Sequence, residues 1–547
     1  MALRRVQIHN AGDIGIVKET DAKDHAIPPE AWTDGKNVRF LDGKVKKFTG
    51  HDEVFTQMTI APYQLLAVPF LDSSFWLALG LAGVEALTGT AVNDITRASG
   101  AYEAISRGSW SASMFAGLAV MNNYVDVPQY WADAVATQLL QDFPAWPANV
   151  RANVIRPYKN YLVALGITKE YNTASEAYYP NMIKVSHPAD PGSMPSTWDE
   201  TDQTKDALER DLVDDEAGEL LDGKQLGDRL IMYKEGSTHY LQHIGGTFIH
   251  ENKRIFDTSG ILAMNCVADL PKVRGATAGH FVHNGHDLII HDGQAINSVV
   301  DNKMRKFLNA NIDTNAYFRS FCITNLEAKE MWFCFPETGS EFCTLAATFS
   351  LVDGTIGIRE LPGVSGGHSG IIDTGGSQEV WDNIDETWDS VAANAVADGL
   401  WDGRTFTQFN RGIMLADPTN SKIFRADTTE EFDGSAFTAF VERKGIAIIG
   451  RDADREPVLD FSHDKIINRV WPKMRGGPVD IKVGMQATMD GAITWSTPVT
   501  FDPATDTYID PDPVPSGRLP AIHFSSTGSE TWELDGYDIE MDVLGLV

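Results

Sequence analysis

A chain of 547 residues with 43% hydrophobic content has enough apolar material for a large core and does not read as disordered. Its 45 basic and 76 acidic residues leave a formal net charge of −31, which disfavours phosphate contacts and excludes a typical sequence-specific DNA binder. No apolar run reaches the roughly 18 residues of a membrane-spanning helix, and Met1 to His9 carries two arginines with no apolar stretch behind them, so no signal peptide is expected and synthesis in the cytoplasm fits best.

Residues 1–50 hold nine Lys or Arg against seven acids, the only long stretch without acidic excess. They are expected to form an N-terminal arm and strand pair that makes assembly contacts with acidic partners. From residue 51 to about 430 the pattern is short strands separated by turns. Asp-Gly pairs supply the positive φ angles of tight hairpins at Asp42-Gly43, Asp222-Gly223, Asp292-Gly293, Asp353-Gly354, Asp433-Gly434, Asp490-Gly491 and Asp535-Gly536. A loose unit of turn, apolar run and turn recurs. It is centred on Phe75–Leu79, Gly117–Met121, Asn160–Leu165, Gly227–Tyr233, Gly285–Ile290, Thr344–Ala347 and Gly412–Leu415. Its shorter steps match one four-stranded propeller blade, though packed sandwiches would leave a similar trace.

Between Asp199 and Asp222 eleven acids face two bases. An acidic surface insertion near 196–222 is expected, with Leu208, Leu212 and Val213 permitting a short helix; the regular D-x-D-x-D-G calcium loop is missing. The four cysteines, Cys266, Cys322, Cys334 and Cys343, lack C-x-x-C spacing, so no zinc site is indicated. Cys334 and Cys343 flank a turn, a placement that allows a cross-hairpin disulfide, but free thiols acting as small apolar residues are the plainer reading. His280, His283, His286 and His291 crowd into twelve residues. Alternation along a strand would make His280 and His283 diverge, so scattered strand and turn histidines are preferred to a metal centre.

Three Trp-Asp pairs, at Trp381, Trp388 and Trp401, are spaced too closely to mark propeller blades. From about 431 to the end, Val479, Ile481, Val483 and Met485 alternate with polar residues, as do Tyr537, Ile539, Met541 and Val543. Period-two patterning describes strands with one face in a core. A separate C-terminal β domain, sandwich-like, is expected over 431–547. Within it Thr488 to Trp495 comes near the Asp-box hairpin of sialidases but has Ala492 where that motif has glycine. No nucleophile elbow, zincin or Walker A sequence occurs, and a carboxylate pair for glycoside hydrolysis cannot be chosen without geometry. No catalytic, cofactor-binding or metal-binding residue is assigned.

Several phrases resemble the tail nozzle proteins of short-tailed bacteriophages, the tail tubular protein B and head-closure or stabilisation family. They are Ala31–Phe40 followed by Asp42-Gly43-Lys44-Val45, Val127–Trp131, Tyr179–Ser186 followed by Asp190-Pro191-Gly192, the Trp-Asp stretch at 381–389, and Val441-Glu442-Arg443 leading to Trp471-Pro472. The resemblance implies a β-propeller body in a homohexameric ring at the distal end of the tail, with a lumen for the genome. The partners it implies are an adaptor ring above, tail fibre or spike proteins, and DNA in non-specific passage. The expectation is therefore an all-β structural protein of the virion tail and not an enzyme, with no cofactor. An acidic lumen would suit DNA that must slide without adhering. The competing readings are a receptor-binding protein that contacts the host cell surface and a tail-borne glycan hydrolase.

Overall fold

Short strands joined by tight turns dominate, as the sequence pattern predicts. The computed structural model describes residues 2–546 except 19–26, 56–57, 70–73, 89–90, 106–109, 133–137, 213–217, 247–248, 273–277, 302, 373–410, 452–456 and 489–490. Among the described residues there are seven four-stranded sheets, two six-stranded sheets and one two-stranded ribbon. The one α-helix among them is Arg305–Asn311. The fold is all-β, with a propeller-class body of small sheets and a sandwich-like C-terminal part.

The chain divides into two compact units. One comprises 53–257 and 364–425. It holds four sheets formed in strict chain order, over 64–94, 111–142, 150–211 and 220–256. A further sheet pairs Gly366–Ile371, Arg411–Asp417 and Lys422–Ala426, and takes its outer strand from His51–Val54 at the unit boundary. Meander order follows from the turns. Ala116-Gly117, at φ 51° and 90°, forms the two-residue loop that sets Phe115 opposite Leu118. Both residues take positive φ, which matches the twist of the flanking strands. The small sheets pack through aromatic and aliphatic side chains, with Phe75, Trp110 and Trp131 in one cluster and Phe115, Trp146 and Trp198 in the next. Burying each such ring contributes about 2–3 kcal/mol.

The other unit comprises 1–52, 258–363 and 426–547. It contains the four-stranded sheets over 267–298 and 321–364 and both six-stranded sheets. The N-terminal strand Ala2–His9 pairs antiparallel with the last strand, Trp532–Leu546, from Ala2 opposite Val543 to His9 opposite Gly536. The two six-stranded sheets meet at Trp32, Phe524 and Tyr537, whose ring centroids lie 5.5 to 6.0 Å apart.

Three expectations change. Residues 1–50 are not an appended arm, because their strands pair with Trp532–Leu546 and with Ala439–Arg443 inside the six-stranded sheets. The acidic segment 196–222 contributes Leu208–Asp211, an outer strand paired with Met182–Val185, in place of the short helix that its leucines permit. Glu209 forms ion pairs with Lys169 and Lys184, so that carboxylate of the strand faces basic neighbours. Finally, Asp222-Gly223 and Asp535-Gly536 lie inside strands and not at turns. Gly536 is needed for close approach, since a Cβ there would sit 2.4 Å from the Ile8 carbonyl oxygen.

Candidate functional site

Three groups of side chains carry unusual chemistry, and geometry separates them.

The first is a buried ion cluster. The Arg39 guanidinium donates to both Glu330 oxygens at 2.6 and 3.2 Å and to Asp427 at 2.9 Å. Arg359, fully buried, donates to Asp427 at 2.6 Å and to the Thr49 and Gly50 carbonyls at 3.2 and 3.1 Å. Asn325 and Thr49 also donate to Asp427, and the Trp332 indole donates to Glu330. Phe48 lies under both guanidiniums, and Trp332 under Arg359. Burial alone would raise the Asp427 carboxyl, but Arg359 and Arg39 outweigh it and hold it at about 2. These two acids are a carboxylate pair only in proximity. Arg39 bridges them and their oxygens are committed to protein donors, so the cluster fastens strands together.

The second group is the histidines. His280 and His291 stand directly opposite on neighbouring strands, with ring centroids 5.4 Å apart. His283 stacks on Phe333 at 4.4 Å. The Nδ1 atoms of His283 and His291 each accept the backbone N–H of the glycine two residues on, Gly285 and Gly293, at 3.2 Å. Each imidazole therefore caps its own turn and must be neutral there. Burial pushes both down to about 3. The repeated His-x-Gly spacing was the legible signal for this role. Among the described residues no group of three or more His, Cys, Asp or Glu is arranged to hold a metal ion.

The cysteines are free thiols, with Cys266 and Cys343 donating to the Ser320 and Arg319 carbonyls. Cys334 stands opposite Ala346, not Cys343, so the suggested cross-hairpin disulfide is not formed. Of the Asp-box-like segment, Met489 and Asp490 lie outside the described residues, and Ile493–Trp495 pairs antiparallel with Val479–Gln486. The Trp-Asp pairs at 381, 388 and 401 lie outside the described residues.

The third group is partly accessible, with Tyr178 exposed and Tyr124 and Tyr171 half-buried. Tyr124, Tyr171 and Tyr178 gather at the sheets over 111–142 and 150–211. The Tyr124 and Tyr171 rings stand 6.1 Å apart at 77°. Arg151 lies over Tyr171 at 4.9 Å, and Tyr124 pairs its hydroxyl with Thr168 at 3.3 Å. Tyr178, 41% exposed, donates to Glu219 at 2.5 Å and accepts from Asn153. Burial and Glu219 raise the Tyr178 phenol, and burial with Tyr124 raises Tyr171, so both stay protonated donors. Sequence reasoning missed this surface. The available signal was density: seven of the 14 tyrosines fall between 124 and 179.

No family model and no curated protein matches the chain. Among solved structures it is similar to Raptor from Chaetomium thermophilum, with TM-score 0.39, 7% identity, and 70% of this chain over 30% of that one. It is also similar to PorZ of Porphyromonas gingivalis, a surface component of the type-IX secretion system, with TM-score 0.32, 9% identity, and 73% of this chain over 43% of that one. The chain thus spans less than half the length of either.

Proposed function

We propose that the chain is a structural component of a bacteriophage tail, a subunit of a homohexameric nozzle through which DNA is ejected. The observation that carries this reading is the set of nozzle-like phrases along the sequence. The described ones fall on framework elements. Ala31–Phe40 supplies the buried Trp32 and the strands Asp34–Lys36 and Val38–Leu41, Val127–Trp131 ends on the buried Trp131, and Tyr179–Ser186 lies on the strand Ala177–Val185. Arg443, in a later phrase, is buried and donates to the Ile27 carbonyl. A likeness spread over core and turn positions is what a shared architecture leaves. A shared reaction would concentrate it at one cluster.

Ring assembly would cover strand edges and apolar surface by repetition. The net charge of −31 suits a channel wall, since Lys and Arg contacts with phosphate release counterions and would retard the genome. An acidic wall leaves a hydrated gap with repulsion screened over about 8 Å. Native mass spectrometry of the purified chain, with cryo-electron microscopy of the assembly, tests the reading. Six copies around an axis with acids outnumbering bases along it are expected. A trimer, a monomer in the virion, or a continuous basic stripe on the axis would overturn it.

A further inference from the structure

We infer that the Tyr124–Tyr171–Tyr178 surface is a binding site for a neutral, hexose-type glycan. This goes beyond the nozzle reading and does not depend on it, because every residue of the site lies within one compact unit of one chain.

A pyranose ring offers a C–H face and a rim of hydroxyls that both donate and accept. It is recognised by an aromatic ring beside planar polar groups. Both are present. Tyr124 and Tyr171 set two rings nearly perpendicular, so one can lie under a sugar while the other walls it. The exposed Tyr178 hydroxyl sits between the Asn153 amide and the Glu219 carboxylate, a line of donor, donor–acceptor and acceptor matched to vicinal hydroxyls. Tyr178 is exposed and Tyr124 and Tyr171 are half-buried, and tyrosines with ordered polar tips kept within reach of solvent mark recognition more than packing.

The backbone supports a built site. Tyr124 has φ 69°, and Glu170 and Asn172, flanking Tyr171, have φ 51° and 58°. A bulky residue in the left-handed region is strained, and such strain persists where the surroundings fix it. Asp126 fixes the Tyr124 loop by accepting from Arg97, Asn123 and the Glu103 N–H. The ladder beside Tyr178 is also irregular. The register slips at Gly166, where a Cβ would meet the Asn153 amide nitrogen at 2.7 Å. Glycine there leaves room for Asn153 to reach Tyr178, and bulges often re-aim side chains in this way.

Charge selects among ligands. Arg151, the cation beside the rings, is committed to the Val125, Ala148 and Val150 carbonyls. Glu170, Glu176 and Glu219 stand nearby, so a phosphate, sulfate or sialic acid would meet repulsion. A proline-rich peptide, the other ligand of aromatic grooves, lacks the N–H groups to satisfy Glu219.

The test titrates the full chain with maltohexaose, cellohexaose and mannohexaose, alongside a heparin hexasaccharide and decaproline, by calorimetry and ligand-observed NMR. At least one neutral hexaose should bind, with an affinity unchanged by salt up to about 0.5 M. Tyr171→Ala should weaken binding roughly tenfold or more, and Tyr178→Phe, which keeps the ring, roughly threefold. Tyr178→Phe decides the matter if Tyr171→Ala fails to melt like the parent. The inference is overturned if none of the three neutral hexaoses binds, if the variants that fold bind like the parent, or if only heparin or decaproline binds.

Discussion

Arg359 and Arg151 make the same kind of contact to opposite ends. Each guanidinium lies over an aromatic ring, Arg359 over two and Arg151 over Tyr171, and donates to two or more backbone carbonyls. Around Arg359, itself fully buried, the carboxylates, guanidiniums and carbonyls mostly answer one another, with only a narrow exposure at Arg39 and Asp427 and the Arg359 Nε left without an acceptor. Around Arg151 the guanidinium is committed, but Tyr178 near it is exposed and the Tyr124 and Tyr171 rings are only half-buried. A satisfied, buried network holds strands together, whereas recognition needs groups whose remaining valences face solvent. The contrast predicts very different responses to substitution.

The largest effect should come from Arg359→Leu. It leaves Asp427 buried with one cation fewer and frees the Thr49 and Gly50 carbonyls. A loss of about 3–5 kcal/mol is expected in urea denaturation. A loss below about 1 kcal/mol would mean that the cluster does not fasten the sheets.

Acid should come next. His283 and His291 are neutral in the fold with values near 3, far below the usual 6.5. The unfolded chain therefore binds more protons between those limits. Stability is fully present above about pH 6.5 and falls as pH drops toward 3. Roughly 2 kcal/mol for each histidine is expected, allowing for relaxation. A melting temperature flat from pH 7 to pH 4 would refute neutral turn caps.

The thiols give a smaller and sharper test. Burial pushes Cys334 and Cys343 well above the ordinary thiol range. The native chain should leave both unmodified by a thiol reagent at neutral pH, and denaturation should release four reactive thiols. Rapid native labelling at either residue would contradict that burial. Smallest of all, Tyr171→Ala should change stability by no more than about 1 kcal/mol, since the ring is half-buried on a turn and touches only Tyr124 and Arg151 among the ring contacts described. A larger loss would make the tyrosine surface part of the framework and erase the contrast.

Much of the framework was readable in the sequence. Each of the seven recurring apolar runs falls on a different four-stranded sheet. Phe75–Leu79 and Asn160–Leu165, for example, lie on second strands, and Gly285–Ile290 leads into a third. Apolar runs between turn residues report local strand formation, which is why they succeeded. Pairing between distant segments leaves no local trace, so the place of Ala2–His9 against Trp532–Leu546 was not legible. Asp222 shows a second limit. An Asp-Gly pair normally marks a turn, but here Asp222 is buried and bridged to Arg156 at 2.7 Å, a tertiary contact that overrides the local preference. The tyrosine surface escaped notice because Tyr124, Tyr171 and Tyr178 are separated in sequence and share no motif.

The outer strand His51–Val54 carries one more consequence, for biosynthesis. Its sheet begins at Gly366 and Ala2–His9 waits for the final strand. The direct neighbour of His51–Val54 is Lys422–Ala426, so at a ribosomal rate of about 5–20 residues per second the early strand stays unpaired for roughly 20–75 s. During that interval its backbone N–H and C=O groups are an open edge. A chain that terminates early leaves that edge, and the one at the N-terminus, permanently uncovered. Prematurely released products should therefore aggregate or be degraded, so that only chains carrying the late strands accumulate in folded form.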